Sequence, residues 1–92
     1  MFVIILNYKV PLDQVDLVRP THREYLLKEG MDKGLIIASG AQVPRTGGMI
    51  IFNSSSRSEA ETFIANDPFF IKGIADFELI EFDPVFLDSR LT

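Results

Sequence analysis

Met49-Ile50-Ile51-Phe52 is the stretch of sequence that decides how this chain folds. Consecutive apolar residues of this kind, with β-branched side chains among them, are typical of a strand that is buried on both faces. Ile4-Ile5-Leu6 and Leu35-Ile36-Ile37 repeat the pattern elsewhere in the chain. Because successive side chains of a strand point to opposite faces, these segments predict a sheet that is apolar on both sides.

Two helical segments accompany these strands. Leu12 to Lys33 has helical spacing but contains Pro20. Either a helix begins near Asp13 and kinks at the proline, or the main helix begins afresh there. Ser56-Arg57-Ser58-Glu59 has the capping-box pattern and predicts the start of a second helix. The apolar residues that would face inward from it are Ala60, Phe63 and Ile64.

The complete pattern is β-α-β-β-α-β, which is the ferredoxin-like arrangement of the α+β class. The four predicted strands are Phe2 to Tyr8, Leu35 to Ala41, Met49 to Asn53 and Asp76 to Phe82. The helices would cover one face of a four-stranded antiparallel sheet and leave the other apolar face exposed. We therefore expect a homodimer in which sheet packs on sheet, an α/β-barrel-like assembly, with help from the apolar tail segment Val85-Phe86-Leu87.

Composition excludes several classes of protein. With 92 residues, the chain predicts a single domain spanning 1–92. It has no cysteine, which excludes disulfides and thiolate chemistry and is typical of a cytoplasmic protein. The net charge is −4 and the basic residues are scattered, so we expect no nucleic-acid partner. No apolar run approaches the ~20 residues of a membrane span, and the N-terminus lacks the pattern of a signal peptide.

Asn66-Asp67-Pro68-Phe69-Phe70 predicts the start of a short helical turn that ends near Gly73. Proline suits the first helical position, and aspartate before it is a favoured N-cap. Asp67 therefore has a structural interpretation, as a cap, and a functional one, as a carboxylate beside a cleft. The two are compatible, because a capping aspartate can still present an oxygen to a neighbouring group.

His22 is the single histidine of the chain. A helical wheel places it within an apolar stripe and places Arg23 outside that stripe. The stripe consists of Val18, Tyr25 and Leu26, joined by Val15 if the helix runs through the proline. A histidine there is either a core residue or a catalytic one. One histidine without cysteine or a second histidine is a poor zinc site, so we expect no metal.

Three short motifs follow one another along the chain: Arg19-Pro20-Thr21-His22, Ala38-Ser39-Gly40 and Asn66-Asp67-Pro68-Phe69. Together they resemble the YciI-like family, also called the YCII or DGPF-related family, over nearly the whole chain. The resemblance implies a ferredoxin-like dimer whose active-site pocket contains a His-Asp pair, here His22 and Asp67. The positions that match the remainder of the pocket, and are expected to bind substrate, are Arg19, Ser39, Gly40 and Phe69.

A carboxylate that accepts a hydrogen bond from one imidazole nitrogen leaves the other nitrogen to exchange protons. Such a pair predicts general acid–base catalysis, with His22 as acid or base and Asp67 as its orienting partner. Ser39 lacks the Gly-x-Ser-x-Gly context of a nucleophile, so a hydrogen bond to ligand or backbone is favoured. Arg19 is either a solvated residue or a ligand for a carboxylate or phenolate.

The resemblance implies a small cofactor-free enzyme, a lyase of the dehydrochlorinase type or an isomerase, acting on a small aromatic or enol-like acid. A non-catalytic dimeric module that holds a small ligand in the same pocket is the alternative. A cofactor-free monooxygenase of the same fold is a third possibility. Oxygen consumption with quinol substrates would separate it from the lyase.

Overall fold

The computed structural model describes residues 1–91 and has the predicted order of elements. Its helices and strands are β1 (Phe2–Tyr8), α1 (Leu12–Tyr25), β2 (Ile36–Ala41), β3 (Gly47–Phe52), α2 (Arg57–Ala65), α3 (Pro68–Ile71) and β4 (Ala75–Glu81). A π-helical turn, Leu26–Gly30, and a 3-10 turn, Met31–Lys33, follow α1, and Ser89–Leu91 forms a last 3-10 turn. No helix within residues 1–91 is long and apolar enough to cross a membrane.

The four strands form one antiparallel sheet in the order β2-β3-β1-β4, which gives the predicted ferredoxin-like fold. In its centre Ile4 lies opposite Ile50 on one side and opposite Leu79 on the other. The helices cover the face that carries Ile4, and the core lies between them and the sheet. Its fully buried apolar side chains include Phe2, Ile4, Leu6, Val15 and Phe52.

Helix α1 runs through Pro20 without a new start, which decides between the two alternatives for this segment. Proline lacks an N–H, so the carbonyl four residues earlier, at Asp16, loses its helical donor. Both residues are exposed, and water can satisfy that carbonyl. The continuous helix also brings Val15 onto the buried stripe, where it is inaccessible to solvent.

The chain leaves α1 by a tight reversal that depends on two glycines. Gly30 is buried, and a Cβ atom there would lie 2.2 Å from Cδ1 of Ile36. Gly34 then adopts φ +72°, a left-handed conformation that favours glycine. The helical pattern predicted to Lys33 therefore holds, but the last part of it is π-helical and 3-10 rather than α-helical.

Two strands begin earlier than predicted because backbone pairing extends beyond the apolar pattern, while β2 begins, and β3 and β4 end, one residue inside the predicted bounds. β3 begins at Gly47 rather than Met49, since Gly47 and Gly48 pair with Asn7 and Leu6 of β1. β4 likewise begins at Ala75, one residue earlier than predicted. Apolar runs mark where side chains are buried, whereas strand ends are set by hydrogen bonds that glycine makes as well as valine.

The sheet face away from the helices is apolar, as the sequence predicted. Val3, Ile5 and Ile51 are half-buried there, and Ile80 is 49% exposed. In the single chain Phe86 of the tail segment is 95% exposed. The final residue of the predicted tail and domain, Thr92, lies outside the described residues. Homodimer formation through this face remains a prediction.

Candidate functional site

Asp67 begins α3 in the way its sequence context predicted. Its Oδ1 atom accepts a hydrogen bond from the backbone N–H of Phe69 at 2.8 Å, and Pro68 occupies the first helical position. The same oxygen lies 2.7 Å from Nδ1 of His22, and the Asp67 side chain is buried. One carboxylate therefore acts as a helix cap and as the partner of the histidine at once.

His22 projects from α1 toward this carboxylate and has a side chain that is 12% exposed. Its ring stacks on Phe69 with a centroid separation of 3.8 Å and an interplanar angle of 2°. An ionised carboxylate can only accept a hydrogen bond, so Nδ1 donates and carries the hydrogen. The stacking contact and the hydrogen bond together fix the ring, and Nε2 is left to exchange a proton.

The second carboxylate oxygen of Asp67 has a different environment. Oδ2 is buried and has no hydrogen-bond partner within residues 1–91. The nearby Tyr25 hydroxyl donates to the backbone oxygen of Phe63 at 2.9 Å. Burial, with smaller contributions from the charges of Asp67 and Glu29, raises the pKa of Tyr25 to about 12. Tyr25 therefore stays neutral at physiological pH.

A cavity of about 130 Å³ opens above the histidine. Cavities of roughly 150 Å³ accommodate benzene, so this one has room for about one six-membered ring. Its lining combines polar and apolar groups in similar measure. Of the residues predicted for the site, five line this cavity: Arg19, His22, Ser39, Gly40 and Phe69. Asp67 lies behind the histidine and is not part of the cavity surface.

The edge strand β2 supplies one side of the cavity. Ser39 lies opposite Ile50 and Gly40 opposite Met49, and these residues line the opening. A Cβ atom at Gly40 would meet nothing within 4 Å, so the glycine leaves the entrance wide. The Ser39 hydroxyl is exposed toward the opening, where it can bind a ligand.

Comparison with known proteins agrees with this architecture. The model of the YCII-related domain matches residues 1–83. The chain belongs to the YCII-related family. The resemblance predicted from the three motifs is thereby confirmed.

One solved structure similar to this YCII-related chain is 5-chloro-2-hydroxyhydroquinone dehydrochlorinase from Burkholderia phenoliruptrix AC1100, in complex with 2,5-dihydroxybenzoquinone. The match has a TM-score of 0.72 and 22% sequence identity, and it covers 90% of this chain and 94% of that chain. At this identity the likeness shows a shared fold. No curated protein matches the chain.

Two polar side chains at the cavity of this YCII-related domain were not predicted from the sequence to belong to the site. Tyr8 ends β1 and meets Phe69 edge-on, with ring centroids 6.0 Å apart. Tyr8 could have been predicted from the alternation of inward-facing side chains along β1, because that series ends in a residue with a hydroxyl group. Arg23 also lines the cavity, which corrects its placement away from the site. The long side chain of Arg23 can extend around the helix to the cavity. The spacing of four residues between Arg19 and Arg23, which places them on neighbouring parts of the helix surface, could have indicated this.

Positively charged side chains outnumber negatively charged ones around the cavity. Asp16, on the same helix as Arg19, accepts a hydrogen bond from the guanidinium of Arg45, which lowers the pKa of Asp16. The Asp16 carboxylate also lies 3.8 Å from Arg19. One carboxylate is therefore shared between two arginines. Within residues 1–91 no cluster of three metal-ligating side chains occurs.

Proposed function

We propose that this YCII-related protein is a small enzyme that needs no cofactor and moves protons on a small aromatic or enol-like acid. His22 is the general acid–base and Asp67 orients it. The observation that carries the proposal is the 2.7 Å contact between Nδ1 of His22 and Oδ1 of Asp67 at the base of a ring-sized cavity. Positioned acid–base groups contribute roughly 10²–10⁴-fold to a rate.

The chemistry follows from the free Nε2 atom. Nε2 takes a proton from a carbon next to a carbonyl, which leaves an enolate, and Asp67 stabilises the imidazolium that forms. If chloride then leaves the neighbouring carbon with its bonding electrons, the result is dehydrochlorination. If the imidazolium returns the proton to a different carbon, the result is isomerisation. The guanidinium of Arg19 at the rim stabilises the enolate oxygen.

Other residues of the cavity position the substrate. Phe69 stacks on His22 and presents an apolar wall beside it. The Ser39 hydroxyl and the open backbone at Gly40 lie at the entrance, where they can hydrogen-bond a substrate oxygen. The name and ligand of the solved dehydrochlorinase, a protein of the same fold, support a hydroxylated ring as substrate.

We also propose that the apolar sheet face packs against a second copy of the chain. Val3, Ile5 and Ile51 form a half-buried apolar surface on strands that pair directly with one another. An apolar face of this kind on a sheet is typical of an interface between subunits. Sedimentation at micromolar concentration should give twice the chain mass of 10.4 kDa, and a monomer would contradict the proposal.

The test of function is a screen of hydroxyquinols, with and without chlorine, and of enol-like acids, followed by absorbance and mass spectrometry. Once a substrate is found, His22→Ala should lower turnover by at least about 100-fold. Lys28→Ala is the matched control, since Lys28 is exposed and pairs with Glu24 away from the cavity. Equal turnover by His22→Ala would refute the role of His22. A compound that binds but is never converted would support the non-catalytic ligand-binding module instead.

A further inference from the structure

Two arginines separate the cavity from a shallow groove on the outer side of α1. Arg19 and Arg23 are four residues apart on the helix, so their side chains emerge on neighbouring parts of its surface. Both line the cavity above His22, and both line the groove, together with Asp16 and Pro20. Any ligand that extends out of the cavity toward α1 therefore meets their guanidinium groups.

The two arginines differ in how their charges are compensated. Arg19 lies 3.8 Å from Asp16, which already binds Arg45. Arg23 has no ion pair within residues 1–91, and no acidic side chain of that range lines the cavity. The net charge of the whole chain is −4, so this local excess of positive charge runs against the composition. An anionic group of a ligand would compensate it.

The size of the cavity determines where such an anionic group can lie. A volume of about 130 Å³ is filled by a single ring. A carboxylate attached to that ring has to project through the opening, because the base of the cavity is occupied by His22 and Phe69. Guanidinium groups bind carboxylates through two parallel hydrogen bonds.

We propose that Arg23 binds the carboxylate of a single-ring or equally small acid and thereby selects acids over neutral ring compounds. Arg19 is left for the oxygen that becomes negatively charged during the reaction. This proposal rests on the proposed function only in using the same cavity as the substrate site; it does not require His22 to be catalytic. It names Arg23 as a determinant of specificity that the family motif does not include.

Binding of two matched probes tests this assignment without any turnover. The probes are 2,5-dihydroxybenzoate and 2,5-dihydroxybenzamide, which have nearly the same shape and differ in charge. Their Kd values are measured by NMR titration against the native chain, Arg23→Gln, Arg23→Lys and the control Lys28→Gln. Because Arg23 and Lys28 are both exposed, none of these variants should fail to fold.

The native chain should bind the benzoate more tightly than the benzamide. Arg23→Gln should raise the Kd of the benzoate about tenfold, since a hydrogen bond to a charged group is lost, and should change that of the benzamide less than about twofold. Arg23→Lys should retain only part of the affinity, because an ammonium cannot make the two parallel bonds. Lys28→Gln should leave both Kd values unchanged.

Three results would overturn the role of Arg23. They are equal affinity of the native chain for both probes, a benzoate Kd unchanged in Arg23→Gln, and no binding of the benzoate at about 10 mM, above the range of weak fragments. None of them bears on turnover, which depends on His22. Conversely, selective binding together with full activity of His22→Ala would retain the role of Arg23 and refute the catalytic proposal.

Discussion

Asp67 caps helix α3 and also carries the negative charge that faces His22. The conservative substitution Asp67→Asn separates these two roles. Asparagine caps helices as well as aspartate, so its Oδ1 atom keeps the 2.8 Å bond from the N–H of Phe69. Its Nδ2 atom takes the place of Oδ2, which already has no partner within residues 1–91. The change therefore creates no additional unpaired atom. It removes the negative charge that faces His22 and replaces the buried acceptor Oδ2 by an amide donor.

The expected magnitudes follow from the bonds that each variant loses. In Asp67→Asn a charge-assisted hydrogen bond becomes a neutral one, which costs about 1 kcal/mol of the free energy of unfolding. Asp67→Ala loses the cap, about 1 kcal/mol, and the bond to His22, about 2 kcal/mol. For a chain of this size, 1 kcal/mol corresponds to about 4–8 °C in Tm. We expect Tm to fall by about 5 °C for asparagine and about 15 °C for alanine.

Urea unfolding followed by circular dichroism measures the two free energies, and turnover is measured on the same samples. Turnover of Asp67→Asn should fall by about 100-fold while most of the stability remains, because the imidazolium is no longer stabilised. If asparagine destabilises the protein as much as alanine does, the argument that the cap survives is wrong. If Asp67→Asn keeps full turnover, Asp67 is a structural cap and nothing more.

Two further predictions concern stability. Gly47→Ala would place a Cβ atom 1.8 Å from the carbonyl oxygen of Leu6, so we expect it to lower the free energy of unfolding in urea by about 3 kcal/mol or more. Gly40→Ala, where the space is open, should lower it by less than about 0.5 kcal/mol, and equal losses would contradict this prediction. The pKa of Tyr25 is about 12 in the folded chain against about 10 when unfolded, so its contribution is complete below pH 10 and is lost as pH rises toward 12. Tyr25→Phe should therefore show a smaller decline in urea midpoint above pH 10 than the native chain, and parallel declines would refute the assignment.

Much of the fold was readable from local sequence because the relevant interactions are local. Asp67-Pro68 predicts the start of α3 and Ser56 the start of α2, since a cap involves atoms only two or three residues away. The run Met49–Phe52 predicts a strand that is apolar on both faces, because successive side chains of a strand point to opposite sides. The family motifs then named the pair His22 and Asp67 and the residues around it.

Packing decided what no local pattern contains. His22 and Asp67 are 45 residues apart, and their 2.7 Å contact exists because α1 and α3 pack side by side on one sheet. The same packing placed Tyr8 and Arg23 at the cavity, although the helical wheel put Arg23 elsewhere. It also allowed α1 to continue through its proline, where intrinsic preference left two alternatives. The sequence by itself determined the elements and the chemical groups, and the tertiary structure determined which groups meet, because distances between remote residues are set by the packing of the whole chain.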